Sequence, residues 1–281
     1  MFYIGADPEV FVLNRNENCI ISGDTMLQKS GVDLQWGNIG SDGLAIEIRP
    51  NPVEVVDPFY VYNDSAALMY NIADIEKMFL QNFTFAEFIK KPLIPVTKEI
   101  LETAGEDANR FGCEPDIDVY LQQQCNEKDA SQIMVRTAGG HIHIGFHENN
   151  PVFNSIEPFI EMQETIIKLF DIAISLPLMT CESIEGFKRR ALYGQPGAYR
   201  IQKWGIEYRT LGNNLFYNNS DLIYSSALAI LGKISNNVKE GEKMLNNAND
   251  IIKEDEVVAA IMGKHTVSAK KITELRYALQ I

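Results

Sequence analysis

A chain of 281 residues with 46% hydrophobic and 22% charged side chains can bury a sizeable core and has the composition of a globular protein. Its formal net charge of −13 argues against binding to a nucleic-acid backbone, which rests on clustered Lys and Arg. No apolar run approaches the roughly 20 residues that span a bilayer; the longest, near Ile172–Met179, is interrupted by Ser175 and Pro177.

In chain order, GADPEVF (5–11) reads as a strand, Asn14–Asn18 as a polar turn and Cys19–Ile21 as a returning strand. SDGLAIEIRPNP (41–52) is a further strand, closed by Pro50 and Pro52. Asp57 then caps a helix with Pro58 in its first position, and Ala66, Leu68, Ile72, Ile75 and Phe79 at helical spacing predict that helix over about 58–80. A shorter helix is predicted around Val96–Thr103 and a turn-rich connection over Phe111–Asp118, where Asp116 and Asp118 read as turn or cap residues. Ile133–Phe146 reads as a strand, Ser155–Ser175 and Asp221–Lys239 as long helices, and 250–279 as one or two more. Without repeats, low-complexity tracts or a linker, one domain over 1–281 is expected. Cys19, Cys113, Cys125 and Cys181 are widely spaced and read as reduced packing thiols. The first residues lack a basic segment followed by an apolar one, so a cytoplasmic location is expected, with no membrane partner. Strands at the start and centre with helices between them exclude strict βαβ alternation. They predict an α+β fold with helices on the apolar face of an antiparallel sheet.

Four strands share one pattern. Alternate residues of a strand face opposite sides, so Asp7 and Glu9, Glu47 and Arg49, His141 and His143, and Glu207 and Arg209 each share a face. Val10 and Val12, Ile46 and Ile48, Ile142 and Ile144, and Ile206 and Tyr208 lie opposite. A solvated face ordinarily mixes Lys, Thr, Ser and Gln. Carboxylates, imidazoles and arginines with almost no lysine are instead suited to divalent cations and phosphate oxygens. The shared period predicts that the four segments lie side by side in one sheet, with these groups on a common concave face.

These residues resemble the glutamine synthetase and glutamate–cysteine ligase superfamily, and within it the phage-type carboxylate–amine ligases. The resemblance rests on Asp7-Pro8-Glu9, on Gly139-Gly140-His141-Ile142-His143, and on Arg200 followed by Ile206-Glu207-Tyr208-Arg209, in the family's order. It covers roughly 5–12, 40–52, 136–147 and 189–214. Asp7 stands where a glutamate is usual, and no match to the ammonia site of glutamine synthetase is found, which leaves the amine open. The resemblance implies a glutamine synthetase-like fold and an ATP-dependent ligase acting on small-molecule or peptide carboxylates and amines. ATP and Mg²⁺ or Mn²⁺ would be its cofactors. By the same resemblance Glu9, Asp42 and Glu47 would hold one cation near the carboxylate substrate, and Asp7, His141 and Glu207 a second that bridges the ATP phosphates. His143 would sit beside the phosphates. Arg200 and Arg209 would stabilise the transferring phosphoryl group. Arg49 is a candidate for the substrate carboxylate, and Lys203, Arg189 and Arg190 for the nucleotide.

Two other readings compete. His141, His143 and Glu148 have the HxHxxxxE spacing of cupin-type metal barrels, which need a third, distant histidine; only His265 follows, in a segment that reads as helix, and it and His147 read as surface residues. A non-catalytic carboxylate- or peptide-binding module on the same fold is the other. The substrate pair and the oligomeric state are not legible in the sequence.

Overall fold

A computed structural model describes residues 2–27, 37–55, 61–104, 110–111, 116–124, 128–129, 133–146 and 156–281. The expected Asp57–Pro58 helix start, and Cys113, Cys125, His147 and Glu148, lie outside them.

The chain opens with strands β1 (Phe2–Ala6), β2 (Glu9–Asn14) and β3 (Cys19–Ile21), a short helix α1 (Gly23–Leu27), and strands β4 (Gly37–Asp42), β5 (Ala45–Pro50) and β6 (Val53–Val55). Helix α2 (Val61–Asn82) follows, then β7 (Ala86–Ile89), β8 (Leu93–Pro95) and α3 (Lys98–Thr103), whose N-cap Thr97 accepts from the Ile100 N–H. Short strands β9 (Arg110–Phe111), β10 (Ile117–Asp118), β11 (Gln123–Gln124) and β12 (Lys128–Asp129) lead to β13 (Val135–Thr137) and β14 (Ile142–Phe146). Helix α4 (Ile156–Phe170) runs into a π-helical turn over Asp171–Ser175, then α5 (Leu176–Leu178) and α6 (Ile184–Arg190). A hairpin of β15 (Ala198–Gln202) and β16 (Gly205–Tyr208) precedes α7 (Asn213–Asn218), α8 (Ser220–Asn236), α9 (Val238–Asn249), α10 (Glu254–Ile261) and α11 (Ala269–Leu279). The fold is thus mixed α+β with antiparallel sheets, and none of its described helices is long and apolar enough to cross a membrane.

The main sheet has the order β11-β10-β15-β16-β14-β1-β6, and a second the order β3-β2-β5-β4. The four patterned segments therefore occupy two sheets, a departure from the expected single one. Pro8 interrupts the first strand: Phe2–Ala6 pairs with β14 in one sheet and Glu9–Asn14 with β5 in the other. The two sheets are stitched at this break. Ile48 N–H donates to Pro8 O at 3.0 Å and Glu9 N–H to Gly139 O at 2.9 Å. The expected strand over 133–146 is likewise two, β13 pairing with β8 and β14 with β1 and β16, because Gly139 and Gly140 break it.

Register explains how sequence alternation becomes a site. In the main sheet Gly5 stands opposite His143, His143 opposite Glu207, and Glu207 opposite Arg200, forming one polar row across four strands. The adjacent row, Ala6, Ile142, Tyr208 and Tyr199, turns the other way into the core. There Ile142, Ile144, Ile206 and Tyr208 pack with Ile166, Ile167 and Phe170 of α4 and Ile223, Ala227 and Leu231 of α8. Burying a side chain of this size contributes roughly 1.5–3 kcal/mol. One polar cluster sits inside this layer. Tyr208 Oη donates to Asp171 Oδ1 and contacts Ser175 Oγ, each at 2.5 Å, and both partners belong to the π-helical turn.

Candidate functional site

Asp7 is set by the Pro8 break, His141 by the residue just before β14 and His143 by β14 itself, and Glu207 and Arg209 by β16 and its end. These side chains converge. Asp7 Oδ1 lies 3.0 Å from His141 Nδ1, Asp7 Oδ2 3.3 Å from His143 Nε2, and Glu207 Oε1 3.3 Å from His141 Nδ1. Gly139 makes this approach possible, since a Cβ there would fall 2.3 Å from His141 Nε2. From the second sheet Glu9 and Glu47 are directly paired across β2 and β5. Glu9 Oε1 lies 3.8 Å from His141 Nε2, while its Oε2 accepts from Gly139 N–H at 2.5 Å and its backbone oxygen from Asn213 Nδ2 at 2.8 Å. His141 thus presents one ring nitrogen to each carboxylate group.

Two sets of three ligand-type residues result, Asp7–His141–Glu207 and Glu9–Asp42–Glu47, each with its candidate donor atoms within 4.8 Å of one another. Among the described residues Asp7 Oδ1, Glu9 Oε1, His141 Nε2, His143 Nε2 and Glu207 Oε1 are buried and satisfied by no hydrogen bond of proper geometry. Buried polar atoms are rarely left so. Oxygen-rich donors with one imidazole fit a hard divalent cation such as Mg²⁺ or Mn²⁺.

The two sets open onto a cavity of about 400 Å³ lined by Asp7, Asp42, Glu47, Arg49, Arg200 and Arg209, among others. Beside it lies an apolar cavity of about 470 Å³, walled by Tyr3, Pro50, Pro52 and Trp204. Asp7, Arg49, His143 and Trp204 border both. Trp204, 43% exposed, packs on His143 with ring centroids 5.0 Å apart. Arg49 pairs with Glu47 through Nε at 2.6 Å, its guanidinium lying over Gly40, where a Cβ would collide with it.

Burial, with Asp42 and Glu47 nearby, raises the Glu9 carboxyl well above the usual range. Burial and Asp7 push Glu47 and Glu207 up to about 7. Burial and Arg209 press His141 down to about 3, which keeps its imidazole neutral and its lone pair available. At Asp7 burial opposes ionisation, but His143 first and His141 second hold the carboxyl well below the usual range.

These shifts set a pH dependence. A carboxyl whose folded pKa is raised contributes stability below its unfolded value of 4.5, and loses it as pH rises through the folded value of about 7. Glu47, Glu207 and the buried Asp171, also raised to about 7, act in this sense; His141 acts oppositely between about 3 and 6.5. The expected result is that the metal-free protein melts at lower temperature at pH 7.5 than at pH 5, and that Mn²⁺ reduces the slope. A melting temperature rising steadily over that interval without metal would contradict the site electrostatics.

Several expected residues lie elsewhere. Arg189 and Arg190 are fully buried: Arg189 Nη1 donates to Thr210 O at 3.1 Å, and Arg190 Nη2 pairs with the equally buried Glu182 at 2.6 Å. They line neither of the two cavities, unlike Arg200 and Arg209. Lys203 is exposed at the β15–β16 turn and is not on the cavity wall, unlike its neighbours Gln202 and Trp204. His265 is in the turn after α10, not in a helix, and faces Glu256 at 3.4 Å. Cys19 is half-buried and Cys181 exposed, so neither is a core thiol.

Asp116 had the opposite fate. Expected as a turn residue, it is buried, with Oδ1 2.9 Å from Arg209 Nε and 3.5 Å from Arg200 Nη2. Asp118 does cap a turn, accepting from the N–H groups of Tyr120 and Leu121. Arg209 also contacts Glu207 through Nη1, and its guanidinium carbon lies 5.2 Å from the centre of the Tyr193 ring. Spacing carried no signal for Asp116, Tyr193 or Trp204, which join the site only through register and a loop.

Residues 132–253 match the family model described as Phage phiEco32-like COOH.NH2 ligase-type 2. The matched span holds His141, His143, Arg200, Glu207 and Arg209; Asp7, Glu9, Asp42, Glu47 and Asp116 precede it. No curated protein matches the chain.

Proposed function

From the match of residues 132–253 to that family model we infer that the chain is a phage-type carboxylate–amine ligase, an ATP-dependent enzyme with a glutamine synthetase-like sheet that works through an acyl phosphate. The observation that carries this reading is the meeting of two oxygen-rich ligand sets and two arginines in one cavity.

Asp7, His141 and Glu207 would hold one Mg²⁺ or Mn²⁺, and Glu9, Asp42 and Glu47 a second. Bound there, the cations supply charge neutralisation for phosphate oxygens and for the substrate carboxylate. The apolar cavity beyond His143, with Trp204 and Tyr3 as its aromatic walls, suits a nucleobase, and a nucleotide seated there would direct its phosphates toward Arg200 and Arg209 on the polar side. A substrate carboxylate near Glu47 and Arg49 attacks the γ-phosphorus. Its new P–O bond forms as the bond to the β-phosphate oxygen breaks, releasing ADP. The amine nitrogen then attacks the acyl carbon, the C–O bond to phosphate breaks, and one amine proton is lost. Phosphoryl transfer of this kind needs positioning and charge compensation, which the chain's arginines and His143 provide.

The test is a screen of amino acids and short peptides with Mg·ATP. The expected result is slow phosphate release with the carboxylate alone, faster release when the correct amine is added, and one amide formed per phosphate. Tight Mg·ATP binding without amide from any pair would favour a binding module instead.

A further inference from the structure

We propose that Asp116 is a positioning residue that holds Arg209, and with it Arg200, in the orientation required to receive a transferring phosphoryl group. This rests on the ligase reading above and adds to it a residue whose sequence context gives no hint of such a role.

Geometry carries the proposal. Asp116 immediately precedes β10, whose register with β15 pairs Ile117 with Tyr199 and Asp118 with Ala198; one further step sets Asp116 opposite Arg200. The side chain of Asp116 is 7% exposed, and those of Arg209 and Arg200 are 3% and 15% exposed. Both arginines are on the wall of the polar cavity while Asp116 stands behind them, so it acts through them. Arg209 is held by several groups: Nε faces Asp116, Nη1 faces Glu207 and, at 3.4 Å, His141 Nδ1, and its guanidinium carbon lies over the Tyr193 ring. An arginine has several soft torsions, and a guanidinium fixed by two carboxylates and a ring loses little freedom when charge develops in front of it. Asp116, like Glu207, pairs with both guanidiniums and so ties them together.

Arg209 Nε and Asp116 Oδ1 form a buried ion pair, Arg200 Nη2 donates to the same oxygen at 3.5 Å, and removing one partner of such a buried pair is worth about tenfold or more in an equilibrium. The probes are Mg·ADP alone and Mg·ADP with aluminium fluoride, which mimics the phosphoryl group in transit; affinities are measured by calorimetry. Wild-type protein is expected to bind Mg·ADP more tightly when fluoride is present. Asp116→Asn should leave Mg·ADP affinity within about threefold and reduce the fluoride-dependent gain by about tenfold. In an Arg209→Lys background, which has no Nε to hold, Asp116→Asn should change that gain by less than about threefold. If Asp116→Asn fails to fold, Asp116→Glu keeps the charge but displaces the guanidinium, and the same loss of gain is expected.

Wild-type and Asp116→Asn proteins with equal fluoride gains would overturn the positioning role and leave the ligase reading standing, as would wild-type protein with no gain. Wild-type protein that binds no Mg·ADP would overturn the ligase reading itself and the role of Asp116 with it.

Discussion

Arg209→Lys is expected to lower turnover by about 10²–10³ while leaving Mg·ATP affinity within about threefold. The cause is geometric. Lysine keeps the charge but has no planar fork, and Arg209 uses distinct nitrogens for Asp116 and Glu207. Its charge opposes negative charge that grows only as the phosphoryl group moves, so the loss belongs in the rate and not in ground-state binding. Single-turnover ATP cleavage beside equilibrium Mg·ATP binding separates the two. A variant that loses affinity and rate in equal proportion would assign Arg209 to nucleotide binding instead.

Glu207→Gln is expected to weaken Mn²⁺ binding by about a hundredfold or more, because supporting residues around metal ligands already cost 10–100-fold and this carboxylate is a candidate ligand. The fold should survive. Burial and Asp7 raise the Glu207 carboxyl to about 7, so the metal-free protein at pH 6 already carries a largely neutral side chain there, which glutamine reproduces in shape and charge. Calorimetric Mn²⁺ titration with a melting curve at pH 6 checks both statements. Unchanged Mn²⁺ affinity in a folded variant would remove Glu207 from the ligand set.

Much of this site was legible in the sequence because a strand's period is two and local. His141 and His143, and Glu207 and Arg209, could be assigned to shared faces without knowledge of the partner strands. What could not be read was pairing over distance. The sequence pattern joins Asp7 and Glu9 into one strand, but the break at Pro8 leaves Asp7 just past the end of β1 in one sheet and Glu9 at the start of β2 in the other. Asp116 reads as a turn residue because its partner Arg200 is 84 positions away. Arg189 and Arg190 read as nucleotide ligands because adjacent arginines are seldom both buried; Glu182, the Thr210 carbonyl and the faces of Phe187 and Tyr193 make that burial tolerable. The helices were the easier part, since apolar spacing alone located α2, α4 and α8, with ends displaced by a few residues.

The π-helical turn gives the sheet something like a locating pin. Tyr208 is the residue between Glu207 and Arg209, and its hydroxyl passes to the far side of the sheet, where Asp171 and Ser175 grip it. A slip of one residue along β16 would drag Tyr208 onto the cavity side, leave both grips empty inside the core, and turn Glu207 and Arg209 away from their partners. Strand alignment on the wet side of the sheet is therefore secured from the dry side, by a contact that no substrate touches.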